Sequence, residues 1–213
     1  MNRCSMILPF FLVFALLFSG CAPSVRNVDS DGAVIICFGD SITYGQGARE
    51  GEAYPALLRT MVPGEVINAG ISGETTREAL RRVKKDVLDE DPYLVIVEFG
   101  ANDRFTGIPE DETAANLRKI IKMIQDEGAM TAICDISAGS SIIGGLDVYH
   151  KKMKRLSKNT GSIFIPRLME GILQDPSMKS DHMHPNAAGY RLIAERVYES
   201  IKPYLRGRGA NGS

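Results

Sequence analysis

Five short, mostly apolar runs recur along this chain, and each is followed by a longer amphipathic stretch. The runs cover residues 34–38, 65–68, 94–99, 130–136 and 162–165; the amphipathic stretches cover 53–62, 75–89, 111–127, 146–159 and 186–205. A strand that is apolar throughout, rather than alternating, is buried on both faces. That is the condition of a parallel sheet whose crossovers lay helices above and below it. Right-handed crossovers then make a three-layer α/β/α sandwich around a five-stranded parallel sheet the expected architecture. Helical spacing is clearest where Leu117, Ile120, Ile121 and Ile124 recur; Asp111 or Thr113 is read as the cap of that helix and Gly128 as its end.

Residues 1–20 stand outside this pattern. Arg3 precedes an apolar segment, 6–18, that is short for a membrane span and suits the core of a signal peptide. It closes on Ser19-Gly20-Cys21. The segment resembles a bacterial lipoprotein signal, which implies that Cys21 is the acylated first residue of an exported, membrane-anchored protein. Ala22 at the next position then implies the outer membrane, facing the periplasm. A plain secretory signal with an incidental cysteine is the other reading. The polar residues 21–32 read as lipidated cysteine and tether, with a reach of about 35 Å for some ten extended residues. Residues 33–206 form one domain, and 207–213 a disordered tail.

Without residues 1–20 the formal charge moves from −1 to −2, since Arg3 is the only charged side chain lost. Such a balance gives no electrostatic reason to expect nucleic acid. Cys37 and Cys134 lie in apolar runs and read as buried thiols. One intervening strand would hold them roughly 9.6 Å apart, beyond disulfide reach.

Chemistry concentrates in four polar blocks. Gly39-Asp-Ser41 follows the first run, Asn68-Ala-Gly-Ile-Ser-Gly-Glu-Thr75 the second and Gly100-Ala-Asn-Asp103 the third; Asp181-His-Met-His-Pro185 precedes the last helix, inside the long irregular stretch 166–185. A doubly wound sheet brings all four to the edge where such folds bind ligands. Acyl transfer needs a hydroxyl nucleophile, an imidazole base, a carboxylate to orient it and donors for the oxyanion. Ser41, His184 and Asp181 fit the first three. The backbone N–H groups of Ser41 and Gly73 and the side-chain amide of Asn102 fit the donors, with glycine at 73 letting backbone approach substrate without a Cβ.

In this order and spacing the blocks resemble the SGNH hydrolases, also called GDSL lipases and esterases, over nearly the whole chain after residue 20. The resemblance implies a flavodoxin-like sandwich and ester hydrolysis without metal or cofactor. It also implies Ser41 as nucleophile, Ser41, Gly73 and Asn102 as the oxyanion hole, and Asp181 with His184 as the remaining dyad. Asn68-x-x-Ile-Ser-Gly-Glu-Thr75 with Gly171-Ile-Leu-Gln-Asp-Pro176 is similar to the bacterial thioesterase, lysophospholipase and arylesterase branch. That branch commonly has Asp-Gly-x-His where this chain has Asp181-His182-Met183-His184, and its proline- and tyrosine-containing loop is replaced by 137–145. Substrates are expected to be small-molecule or lipid esters. A carbohydrate O-acetylesterase of the same family and a non-catalytic surface lipoprotein are the alternatives, and oligomeric state is left open. Apolar residues of 137–145 and 166–180 are expected to shape the acyl pocket.

Blander roles fit several other residues. Asp40 and Asp103 read as backbone-fixing carboxylates. His150, among Lys151, Lys152 and Lys154, and the Arg81-Arg82 and Lys84-Lys85 pairs read as solvated helix faces. Asp181, His182 and His184 could be read as metal ligands, but no other histidine or cysteine is placed to complete the set. Dinucleotide, phosphate-loop and Gly-x-Ser-x-Gly elbow motifs do not occur.

Overall fold

The structure is a computed structural model describing residues 24–137 and 147–205. The signal segment 1–20, Cys21, positions 138–145 of the loop after the fourth strand and the tail 207–213 lie outside the described residues.

The expected sandwich is present. Strands β1 (Val34–Gly39), β2 (Glu65–Gly70), β3 (Pro92–Glu98), β4 (Met130–Cys134) and β5 (Ile163–Ile165) form one sheet in the order β2-β1-β3-β4-β5, and every pairing is parallel. Side chains alternate between two cores. Ile35, Cys37, Leu94 and Ile96 pack with Tyr54 and Leu58 of α2 (Tyr54–Arg59) and with Tyr190, Ile193 and Val197 of α7 (Ala187–Ile201). On the opposite face Ile36, Phe38, Val95 and Val97 meet α3 (Thr76–Asp86), α5 (Glu110–Asp126) and α6 (Asp147–Thr160). Both faces being covered explains why these strands read as continuous apolar runs. Cys37 and Cys134 are buried free thiols with β3 between their strands.

Two short helices escape periodicity because four or five residues carry none: α1 (Ser41–Tyr44) and α4 (Ala101–Phe105), each directly after a strand. The cap of α5 also differs from expectation. Its N-cap is Pro109, and Thr113 is buried inside the helix with its hydroxyl donated to Asp103 Oδ1 at 3.0 Å. At the other end of the chain Asn186 caps α7 by accepting from the Ala188 and Gly189 N–H groups, and α7 gives way to a 3₁₀ turn containing Pro203, which cannot continue the helical ladder.

Residues read as a tether pack on the domain instead. Arg26 N–H donates to Gly161 O at 2.9 Å and Asn27 Nδ2 donates to Gln125 O and Ala129 O at 2.9 Å each; Ala33, the first residue read as domain, donates its N–H to Asp91 O at 2.8 Å. Val25 is packed against the α2/α7 core. These partners all lie just before β3, β4 and β5, so the segment runs along the N-terminal edge of the sheet.

Candidate active site

The chain leaves β1 toward β2 on one side and returns to β3 on the other. The β1/β3 boundary is therefore the topological switch point, where strand order opens a crevice beyond the carboxyl ends. Ser41 follows β1 and Asn102 follows β3, so the two flank that crevice. The turn into α1 is tight: a Cβ on Gly39 would sit 2.8 Å from Glu98 O and collide with Thr43. Asp40 is the N-cap, its Oδ1 accepting the Ile42 N–H at 3.1 Å. Ser41 is thus the first helical residue rather than the cap, and its N–H precedes the intrahelical ladder.

Ser41 Oγ lies 3.1 Å from His184 Nε2, and His184 Nδ1 lies 2.7 Å from Asp181 Oδ2. Asp181 Oδ1 accepts the Met183 and His184 N–H groups at 2.8 and 2.9 Å, so one carboxylate folds its own loop and addresses the ring. Desolvation raises the Asp181 pKa, but those N–H donors and the imidazole outweigh it and hold the group down to about 2. Ser180 N–H donates to His184 O at 2.9 Å and Asn186 N–H to Met178 O at 2.9 Å, closing the loop at the start of α7. Tyr190 of α7 donates its hydroxyl to Gln46 O at 2.8 Å, tying that helix to the chain just after α1. His184 and Ser41 are thereby fixed to one another through the core.

Asn102 Nδ2 donates to Asp40 Oδ2 at 3.1 Å and to Glu74 O at 3.0 Å. Both amide hydrogens have partners, so any further acceptor in the crevice must share one or displace a partner. Gly73 has φ +81° and open space where a Cβ would project. The backbone conformation accounts for glycine here. The loop bearing Gly73 is stapled by Arg82, whose Nε donates to Glu74 Oε1 at 2.6 Å and whose Nη2 pairs with Glu74 Oε2 and with Ala69 O at 3.0 Å. The Arg82 guanidinium also stands 4.4 Å over the Phe38 ring. This corrects the reading of Arg82 as a solvated charge.

A cleft of about 200 Å³ opens at this edge, and Ser41, Gly73, Asn102 and His184 all line it. Its other walls are largely apolar, from Ile42, Phe105, Ile136, Met169, Leu173 and Met183. Met169 and Leu173 come from the long loop before α7, as expected. His182 is exposed and does not line the cleft. Among the described residues no group of three or more His, Cys, Asp or Glu side chains is arranged to hold a metal ion.

Asp103 is buried and accepts from Thr76 N–H at 2.9 Å and from the Thr76 and Thr113 hydroxyls, joining α4 to α3 and α5. His150 differs from its sequence reading: its Nδ1 lies 2.5 Å from the buried Asp135 Oδ2 and its ring packs edge-on to Phe164. Glu98, the last residue of β3, was not singled out by sequence; it is fully buried at the cleft, with Oε2 accepting from the Thr43 hydroxyl at 2.9 Å. Its position after a run of five apolar residues, Tyr93 to Val97, is the one signal that could have marked it.

Residues 37–192 match the GDSL-like Lipase/Acylhydrolase family. The esterase TesA of Pseudomonas aeruginosa is 28% identical over 200 residues, 90% of this chain and 99% of the relative. Thioesterase 1/protease 1/lysophospholipase L1 of Escherichia coli is 26% identical over 202 residues, 93% of each chain. In three dimensions the chain is similar to the psychrotrophic esterase EstA from Pseudoalteromonas sp., with a TM-score of 0.73 and 29% identity over 82% of this chain and 99% of that one.

Proposed function

We propose that this chain, which belongs to the GDSL-like lipase/acylhydrolase family, is a serine esterase that cleaves carboxylic esters through an acyl-enzyme on Ser41. The observation that carries the reading is the continuous chain Ser41 Oγ, His184 and Asp181, at 3.1 and 2.7 Å, set in the wall of an apolar cleft. Ser41 Oγ attacks the acyl carbonyl while its proton passes to His184 Nε2. The Ser41 and Gly73 N–H groups and Asn102 Nδ2 receive the oxyanion. His184 then gives the proton to the departing alkoxide or thiolate. In the second half, water loses a proton to His184 and attacks the acyl carbon, and the proton returns to Ser41 as the acid leaves.

The lining favours an acyl chain over a polar glycan. Initial rates on p-nitrophenyl esters from acetyl to palmitoyl test this. The expected optimum lies beyond acetyl; an optimum at acetyl would shift the assignment to an O-acetylesterase, and no hydrolysis at any length would overturn the reading.

Anchoring is part of the same proposal. The apolar segment 6–18 and Cys21 support export and acylation at Cys21. No described helix is long and apolar enough to cross a membrane. Residues from Arg26 onward run along the N-terminal edge of the sheet, whereas the cleft opens at the C-terminal edge. From Cys21 to Ser24 the chain spans at most about 11 Å. An anchored enzyme therefore turns its active site away from its own membrane and meets substrate from the aqueous side. Metabolic labelling with an alkynyl fatty acid should mark the full chain and be lost in Cys21→Ser; equal labelling of the two would remove Cys21 as the site.

A further inference from the structure

Glu98 is a buried ionisable group at the cleft for which the reaction above has no use. Thr43 Oγ1 donates to its Oε2 at 2.9 Å, and the Tyr54 hydroxyl lies 3.1 Å from that same Thr43 oxygen. Among the described residues Glu98 Oε1 is buried with no donor to meet it. A carboxylate in that position would leave a charged acceptor unsatisfied, which is among the costliest states a buried group can hold. A carboxylic acid carries a hydrogen there and needs an acceptor instead.

Asp40 stands beside it. Gly39 and Glu98 are paired in register across β1 and β3, Asp40 N–H donates to Glu98 O at 3.3 Å, and both side chains reach the same cleft. The other groups that face Glu98 are neutral: Thr43 from α1, Tyr54 from α2, Cys134 from β4 and Tyr190 from α7. The charges that act on Asp40 are Glu98, Asp103 and His184. No cation among these neutralises a second anion beside Asp40 except His184 when it holds the serine proton.

We propose that Glu98 is a positioning residue of the oxyanion site: as a neutral carboxylic acid it donates its Oε1 hydrogen to the Asp40 carboxylate, which in turn holds the Asn102 amide. Burial pushes the Glu98 carboxyl well above the usual carboxylate range, and the Asp40 charge adds to the rise. Burial raises Asp40 too, against the pull of the Ile42 N–H, but Asp40 accepts from two N–H groups, Ile42 and Asn102, where Glu98 accepts from one hydroxyl, so the single negative charge of the pair rests on Asp40. Two like charges this close do not both ionise at neutral pH. Asp40 then has its acceptors filled by Ile42 N–H, Asn102 Nδ2 and the Glu98 hydroxyl. The Asn102 amide is held at the crevice before substrate arrives, which is what an oxyanion donor requires.

The proposal rests on the esterase reading, and its test separates the two. In Glu98→Gln the amide oxygen can still accept from Thr43 while Nε2 donates to Asp40. Its kcat is expected within about threefold of wild type, because the neutral donor is preserved. Glu98→Ala removes the donor and should lower kcat by about 10- to 100-fold with KM nearly unchanged, below the full loss of an oxyanion donor. In an Asn102→Ala background the same Glu98→Ala change should cost little more, because its effect passes through Asn102. Independently of activity, the infrared spectrum at pH 7 should show a protonated-carboxyl band that Glu98→Gln removes. Absence of that band in the wild type, or a Glu98→Gln enzyme as slow as Glu98→Ala, would overturn the proposal. A folded wild type with the band but no ester hydrolysis would overturn the esterase reading and leave the protonation intact.

Discussion

Ser41→Ala is expected to lower kcat for ester hydrolysis on the order of 10⁶-fold, with His184→Ala nearly equal and the double variant no worse than either. The near-equality follows from the geometry. With no hydroxyl at 41, His184 Nε2 has no proton to take at 3.1 Å; with no imidazole at 184, the Ser41 hydroxyl keeps its proton and is a weak nucleophile. The fold should survive the first change, since alanine is a good helix former and Ser41 is the first residue of α1, capped by Asp40 rather than by itself. A fluorophosphonate probe should label the wild type stoichiometrically and leave Ser41→Ala unlabelled. Hydrolysis in Ser41→Ala within tenfold of wild type, or labelling of that variant at the same rate, would place the nucleophile elsewhere.

The sandwich was legible because both faces of the sheet are buried, so strands such as β1 announce themselves as unbroken apolar runs. The four polar blocks were legible because a parallel sheet has one edge where its strands end, whatever the loop details. What stayed hidden is partner choice over long range. Nothing local to Arg82 distinguishes it from Arg81, yet one is exposed and the other crosses from α3 to hold Glu74 and lie on Phe38. His150 sits in a run of lysines that reads as a solvated face; its partner Asp135 is fifteen residues away, at the end of β4. The residues before β1 are polar in composition and so read as tether, although hydrogen bonds to Gly161, Gln125 and Ala129 fasten them to the sheet edge. Composition predicts what a segment can solvate, and backbone groups elsewhere decide whether it packs. Glu98 is silent in the sequence for a related reason: one acid at the end of an apolar strand reads as a strand terminus, and only the pairing of β1 with β3 brings Asp40 beside it.

Asp181→Asn is expected to reduce kcat by roughly 10⁴-fold while leaving the loop folded. The asparagine Oδ1 can still accept the Met183 and His184 N–H groups, which are what close the turn. Its other terminus becomes an N–H donor where a carboxylate oxygen had accepted from His184 Nδ1. The ring must then offer a lone pair at Nδ1 and carry its hydrogen on Nε2, facing Ser41. In that tautomer it cannot accept the serine proton. Because hydrogen bonds to the carboxylate hold Asp181 down to about 2, the group stays ionised throughout the range in which an esterase is assayed, and the acid limb of the wild-type rate profile will not belong to it. The same shift has a sign for stability: a depressed carboxyl stabilises the folded loop above its unfolded pKa, and the contribution is lost only as pH falls toward 2. Loss of activity in Asp181→Asn with cooperative unfolding retained and a melting temperature only a few degrees lower would assign the carboxylate to orienting the imidazole. A variant that keeps more than a tenth of wild-type kcat would show that His184 is held by its own backbone loop, with the carboxylate serving only to fold it.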